Sequence, residues 1–333
     1  MNRSKQAGMA IKAIVLLLVG LVLPSVHLAE AQQPGKIAKI AWLGARSASA
    51  SGRELLNREL HVLGYVEGKN VAFEYRYADN KLDQVPALAE ELVRLKVDVL
   101  VTPGSIEALA AKNATRTIPI VFLGVSDPIA VGLVDSLARP GGNITGFTSI
   151  EALLAGKRLE LLKETVPKLS RVAVLWDPKS KGAEQSWKES QLSARELGLQ
   201  LHSMEVSSAN KFEGAFQDAT KARSAALAVT LNAVANSNQK RIADLATKHR
   251  LPAIAARGDF VESGGLMSYG PDRVEPYKRV ASMIDKILKG AKPADLPVEQ
   301  PTKFELMINL KTSKALGLTI PPVVMMRAEK VIK

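Results

Sequence analysis

Residues 97–124 read VDVLVTPGSIEALAAKNATRTIPIVFLG, two short apolar runs joined by an alanine-rich segment. The runs at 97–102 and 118–124 are rich in Val and Ile and have the length of buried strands. The segment between them, around residues 108–114, contains strong helix formers. A strand, a helix and a second strand in this order form a parallel pair with a crossover helix. The stretch therefore predicts an α/β fold built on a parallel sheet.

The same alternation extends in both directions and occurs twice. Further strands are predicted at 36–42 and 71–77 in the first half, and at 171–176, 201–206 and 225–231 in the second. Trp42 precedes Gly64 by 22 residues, and Trp176 precedes Gly198 by the same interval. This repetition predicts two similar Rossmann-like lobes with parallel sheets.

Three segments rich in Gly or Pro are the predicted crossings between the lobes. They lie at 139–146, 264–271 and 292–301, and a helix beginning at Pro276 and closed by Gly290 stands between the last two. The resulting division gives lobe one residues 36–147 and 271–292. Lobe two then comprises residues 148–270 and 296–333.

Composition excludes several classes of protein. The 333 residues include no Cys, so disulfides, thiol nucleophiles, iron–sulfur clusters and Cys zinc sites are absent. The formal net charge is +12, but aromatic residues make up only 5% and no zinc-finger or basic-zipper pattern occurs. We therefore expect no metal, no cofactor and no nucleic-acid partner, and we assign the positive charge to an anionic surface or ligand.

The first 31 residues have the three parts of a secretory signal peptide. Basic residues precede an apolar run at 13–23, Pro24 interrupts it, and Ala29-Glu30-Ala31 matches a cleavage site. The run is about half the length that spans a membrane. We expect a mature protein that begins at Gln32 and is free in the periplasm as a monomer, without stable membrane insertion. The alternative is an N-terminal membrane anchor.

The loops that follow strands are the candidate ligand-binding elements, because ligands of open parallel sheets bind beyond the carboxyl ends of the strands. Helix N-termini at this edge also suit anions such as a carboxylate. The candidate residues, taken from these loops and from the second crossing, are Arg46, Ser47, Ser49, Thr102, Gly104, Ser105, Ser126, Asp127, Asp177, Asn232, Arg257 and Tyr269.

Several of these candidates also have a purely structural explanation. Asp127 and Asp177 each precede a Pro, and an Asp-Pro pair is a common beginning of a helix or turn. The hydroxyl groups of Ser47, Ser49, Thr102 and Ser105 can satisfy backbone N–H groups of their own turns. Both interpretations remain open at this level.

An enzyme requires an acid, a base or a nucleophile, and no candidate loop contains a His. His61 and His249 fall on predicted helices and His202 falls in a predicted strand. No H-E-x-x-H, G-x-S-x-G or phosphate-loop motif occurs, and Gly141–Gly146 does not open a helix after a strand as a dinucleotide fingerprint does. We therefore expect no enzymatic activity.

Long runs of the sequence resemble the substrate-binding proteins of ABC transporters, in the branch that includes binders of tryptophan and other aromatic amino acids. The resemblance is carried by residues 63–70, 111–122, 127–146, 264–270, 297–310 and 315–322. It implies the type I periplasmic binding fold, in which two lobes joined by three crossings close on a small ligand. Two positions depart from the family pattern: Arg257 is displaced relative to Phe260, and Asn232 stands where relatives often have Asp.

The combined interpretation is a periplasmic solute-binding component of an ABC importer. Such a protein captures a small organic ligand, an aromatic amino acid or another carboxylate, by hinge closure and delivers it to a permease. Two alternatives are a ligand-sensing module for a receptor and an exported two-lobed enzyme.

Overall fold

The computed structural model describes residues 37–47 and 52–333. The predicted signal peptide and the candidate residue Ser49 lie outside the described residues. Within the described part of the chain, no helix is both long enough and apolar enough to cross a membrane.

The first sheet has five parallel strands in the order β2-β1-β3-β4-β5. The strands are β1 (Ala38–Gly44), β2 (Val71–Tyr77), β3 (Val99–Thr102), β4 (Ile120–Val125) and β5 (Ile144–Thr148). The connecting helices are α1 (Arg53–Val62), α2 (Val85–Arg94) and α3 (Ser105–Ala114). Strand β3 is buried along its whole length, as its continuous apolar sequence predicts for a central parallel strand.

The second sheet has seven strands in the order β12-β11-β10-β9-β8-β6-β7. The strands are β6 (Arg171–Trp176), β7 (Gln200–Glu205), β8 (Ala226–Val229), β9 (Ala253–Ala255), β10 (Met267–Pro271), β11 (Phe304–Asn309) and β12 (Lys330–Ile332). The helices in this part are α4 (Ala155–Thr165), α5 (Lys181–Glu196), α6 (Phe212–Lys221), α7 (Ala233–Asn236), α8 (Gln239–Lys248) and α9 (Asp259–Glu262). The predicted pair of α/β lobes is confirmed, with one departure: β11 runs antiparallel to β10.

Two of the segments predicted as crossings contain strands. Residues 144–148 form β5 at the edge of the first sheet, and residues 267–271 form β10 in the second. Position 146 in β5 requires glycine. A Cβ there would lie 2.3 Å from the carbonyl oxygen of Phe122, which is closer than a side chain can approach. The glycines that indicated turns in the sequence therefore include one that permits close strand packing.

The third connection lies beside the first. The backbone N–H of Glu299 donates to the carbonyl of Gly146 at 2.9 Å, and the N–H of Thr148 donates to the carbonyl of Glu299 at 2.8 Å. In the same region, the Glu275 carboxylate accepts bonds from the Thr302 hydroxyl at 2.8 Å and from the Lys303 N–H at 3.2 Å. These bonds hold the connecting segments next to one another.

Helix α10 (Glu275–Leu288) returns to cover the first sheet, and the remaining helices, α11 (Leu310–Ala315) and α12 (Pro322–Met325), follow it in the chain. The buried residues Val280 and Ile284 of α10 pack in one cluster with Trp42 and Phe147. Asp272 lies just before this helix, and its Oδ1 accepts the N–H groups of Val274 and Glu275 at 2.6 and 2.9 Å.

The hydroxyl of Tyr65 donates to Oδ1 of Asp285 at 3.0 Å and fastens α10 to the turn after α1. Burial, together with this bond to a carboxylate, raises the pKa of Tyr65 to about 12. The two residues are 220 positions apart, so a distant part of the chain completes this lobe.

Candidate functional site

The carboxyl ends of the two sheets face a common cleft that contains two adjoining cavities. The cavity at the strand ends, here called the strand-end compartment, has a volume of about 430 Å³. The second, here called the hinge compartment, has about 540 Å³ and is lined by residues in or next to the three predicted crossings, among them Thr148, Asp272 and Pro301. The residues that line both compartments are Leu123, Gly124, Ser149, Glu151, Leu231, Arg257 and Tyr277.

Both sheets contribute to the walls of the strand-end compartment. Residues at or just beyond the ends of β1 to β4 form one side, and those beyond β6, β8 and β9 form the other. The first side includes Trp42, Gly44, Arg46, Ser47, Tyr77, Pro103, Gly104, Glu107 and Ser126, and the second includes Ser180, Gly182, Ser186, Asn232, Asn236 and Arg257. This is the edge where parallel sheets bind ligands.

Six of the twelve candidate residues predicted from sequence line this compartment: Arg46, Ser47, Gly104, Ser126, Asn232 and Arg257. Five others lie outside the walls of both compartments: Thr102, Ser105, Asp127, Asp177 and Tyr269. Ser49, the twelfth, lies outside the described residues. Contact of any of these residues with a ligand stays a prediction.

The residues outside the walls have identifiable structural surroundings. Thr102 is fully buried at the end of β3, and its hydroxyl has no hydrogen-bond partner among the described residues. Ser105 is the first residue of α3. The Asp177 carboxylate accepts the N–H of Lys179 at 3.0 Å, and the Tyr269 ring stacks on Phe304 with their centroids 6.1 Å apart.

Asp127 is exposed, and its Oδ1 accepts the N–H of Ala130 at 2.9 Å. This bond is the one expected of a capping residue. We therefore expect Asp127→Ala to lower the free energy of unfolding by about 1 kcal/mol and to change ligand affinity by less than about twofold. Chemical denaturation and titration calorimetry on the same variant measure both quantities. A loss of affinity above tenfold with unchanged stability would instead assign Asp127 to the ligand.

Asn232 uses its side chain within its own lobe. Its Oδ1 accepts the N–H of Ala235 at 2.8 Å and caps α7, while its Nδ2 donates to the carbonyl of Thr230 at 3.2 Å. The residue is 3% exposed. An amide serves both bonds at once, whereas an aspartate has no donor for the second.

Arg257 lies at the junction of the two compartments. Its guanidinium forms an ion pair with Asp259 at 3.2 Å, and Asp259 also pairs with Arg273 at 3.1 Å. Tyr277 also lines both compartments; burial raises the pKa of its hydroxyl and the nearby charge of Arg257 opposes that rise. The junction therefore contains a cationic and an aromatic side chain.

The wall residues that were not predicted from sequence include five with aromatic or acidic side chains: Trp42, Tyr77, Glu107, Glu151 and Tyr277. Trp42 and Tyr77 belong to strands, and Glu107 and Tyr277 belong to the first turns of helices. Among the described residues, Trp42 Nε1 and Tyr77 Oη are buried and have no hydrogen-bond partner. The available signal was position, since four of the five stand toward the carboxyl end of a strand or in the first turn of a helix.

Arg158 fixes the lobe-two side of the cleft. It is 3% exposed, and its guanidinium donates to the carbonyl of Tyr269 at 2.8 Å and to the carbonyl of Glu151 at 3.3 Å. It also forms an ion pair with the carboxylate of Glu151. We call this group the Arg158 clamp, because it joins the segment after β5 to strand β10.

The described residues contain no group of three or more His, Asp or Glu side chains arranged to hold a metal ion. Of the three histidines in the same part of the chain, none lines either compartment.

Two α/β lobes, three connections and a cleft walled by both lobes define a solute-binding protein of the periplasmic-binding type. The family model described as "ABC transporter substrate binding protein" matches residues 46–332. The chain belongs to this family, and the resemblance found in its sequence is confirmed.

Individual relatives agree with this assignment. The chain is 27% identical over 255 residues to a tyrosine-binding protein of Clostridioides difficile strain R20291, covering 77% of this chain and 73% of that one. The structure of a conserved domain protein from Vibrio cholerae is similar with a TM-score of 0.78 and 30% identity, covering 89% of this chain and all of the other. A domain from Streptococcus pneumonia in complex with L-Trp has a TM-score of 0.76 and 27% identity, covering 89% and 99%.

Proposed function

We propose that this substrate-binding protein captures an aromatic amino acid, or a related aromatic carboxylate, in the strand-end compartment. It closes around the ligand and delivers it to the permease of an ABC importer. The protein acts as a monomer in the periplasm after removal of residues 1–31. The relatives that bind tyrosine and tryptophan support the class of ligand.

The observation that carries the proposal is the set of cationic and aromatic side chains that line the cleft. Arg46 lies on one wall of the strand-end compartment and Arg257 on the opposite wall. Trp42, Tyr77 and Tyr277 provide aromatic surface in the same compartment. Guanidinium groups bind carboxylates strongly, and aromatic rings pack against one another in offset or tilted arrangements.

The positions of Arg46 and Arg257 on different lobes explain how ligand binding closes the cleft. A ligand shifts the balance between open and closed forms only if it binds the closed form more tightly. Arg46 and Arg257 meet that condition, because a single small ligand contacts both only when the lobes are close together. The three connections that lie side by side then serve as the hinge.

The experiment is titration calorimetry with L-tryptophan and L-tyrosine, combined with small-angle X-ray scattering. We expect a smaller radius of gyration at saturating ligand, and a loss of affinity of at least about tenfold, or about 1.4 kcal/mol, in Arg46→Ala and in Arg257→Ala. Arg94→Ala is the control, since Arg94 lies on the exposed face of α2.

A bound ligand that leaves the radius unchanged, with Arg257→Ala silent, would contradict closure while leaving binding intact. Failure of both amino acids to bind the unaltered protein would contradict the class of ligand.

A further inference from the structure

Glu107 is a buried carboxylate in the wall of the strand-end compartment. It lies in the first turn of α3 and is 6% exposed. One oxygen, Oε1, accepts the backbone N–H of Ala45 at 3.0 Å. The other, Oε2, lies against Gly104, where an added Cβ would be 2.7 Å away. Because Gly104 has no side chain, Oε2 has space at the wall of the compartment.

Within the described residues, two carboxylates line this compartment, and they differ in their charge partners. Glu151 has the guanidinium of Arg158. Glu107 forms no ion pair with any Lys, Arg or His in the described part of the chain. Residues 48–51, which lie outside the described part of the chain, read ASAS and contain no Lys, Arg or His.

A buried carboxylate is costly unless a positive group or several donors accompany it. The helix N-terminus and one N–H supply part of that compensation. Oε2 still has acceptor capacity, which a protonated amine with its three N–H donors matches. On the other side of this compartment, the oxygen of Asn232 accepts from Ala235 and the Glu151 carboxylate is paired with Arg158.

We infer that Glu107 binds the protonated amine of the ligand and selects α-amino acids over aromatic acids that lack the amine. The inference rests on the proposed function and narrows its class of ligand. The Ala45 N–H that bonds to Glu107 belongs to the residue before Arg46, and Arg46 and Glu107 both line the strand-end compartment. An amino acid carries both a carboxylate and an ammonium group, which match one cationic and one anionic side chain in the same compartment.

The test compares Glu107→Gln with the unaltered protein, using two pairs of probes. L-tryptophan is paired with indole-3-propionate, and L-tyrosine with 3-(4-hydroxyphenyl)propionate; each partner lacks only the amine. Gln keeps an oxygen for the Ala45 N–H but removes the negative charge. We expect the variant to bind the amino acids about 30-fold more weakly and the deaminated acids within about threefold of the unaltered protein.

Two controls separate binding from folding. The melting temperature of ligand-free Glu107→Gln should match that of the unaltered protein, because the bond to Ala45 is retained. Glu213→Gln replaces another glutamate in the first turn of a helix, away from both compartments, and should leave all four affinities unchanged.

Equal affinity of the unaltered protein for an amino acid and its deaminated partner would overturn the inference, as would an unchanged affinity of Glu107→Gln for the amino acids. Either result would limit Glu107 to a structural role, in which its bond to Ala45 connects α3 to the end of β1.

If neither amino acid binds, the proposed class of ligand fails. A thermal-shift screen that compares amines with carboxylates lacking an amine then tests Glu107 separately. Stabilisation by amines that is lost in Glu107→Gln supports the inference, and stabilisation by amine-free carboxylates alone overturns it.

Discussion

Replacing Arg158 by Met is expected to lower the free energy of unfolding by about 3 kcal/mol. Methionine fills a similar volume, so the loss comes from charge and hydrogen bonding rather than from a cavity. The carboxylate of Glu151 loses its cation, and the carbonyl of Tyr269 in β10 loses its donor. Equilibrium denaturation with urea, followed by circular dichroism, measures the change.

Two further variants test the reason for this loss. Glu151→Gln added to Arg158→Met removes the unpaired charge and should recover part of the stability. Arg94→Met breaks a pair with Glu90 in which both side chains are about two-thirds exposed, and it should cost less than about 0.5 kcal/mol. Equal losses in Arg158→Met and Arg94→Met would contradict a stabilising role for the clamp.

Gly52→Ala is expected to impair both stability and ligand binding. A Cβ at Gly52 would lie 1.8 Å from the hydroxyl oxygen of Tyr277, so the ring has to move. Forcing a packed side chain out of place costs about 1–3 kcal/mol. Because Tyr277 lines both compartments, we also expect L-tryptophan to bind at least about tenfold more weakly in titration calorimetry.

Gly214→Ala is the matched control for this substitution. Gly214 lies in α6, and a Cβ there would meet no atom within 4 Å. Alanine favours a helix interior over glycine, so this variant should gain up to about 1 kcal/mol and bind ligand normally. Equal stability and equal ligand affinity in Gly52→Ala and Gly214→Ala would contradict a role for the Tyr277 ring in ligand binding.

Much of the fold follows from local patterns. Strands β2 and β6 begin and end at the residues that alternation and apolar runs predict, 71–77 and 171–176. Strand direction was less accessible, since the antiparallel pairing of β11 with β10 depends on how the chain returns after α10. Strand β5 was not predicted, because a glycine at position 146 indicates a turn in the sequence. Its close approach to Phe122, which explains the glycine, is seen only in the structure.

The sequence predicted the loops that form the site better than it predicted the individual side chains in its walls. The loops after β1, β3, β8 and β9 do form walls of the cleft. Yet Asp127 bonds to its own turn, whereas Glu107, in a segment that reads as helix, reaches a backbone group 62 residues away. Which side chains face the cleft depends on such distant contacts, and a single sequence does not contain them.

Helix α10 also has a consequence for biosynthesis. The first sheet ends at Thr148, but the helix that covers one of its faces spans Glu275–Leu288. On the ribosome, the amino-terminal lobe cannot be completed until most of the other lobe has been translated. Contacts between residues so far apart also slow folding, because a long loop has to close first. A first lobe that is completed late therefore leaves the chain unfolded for longer.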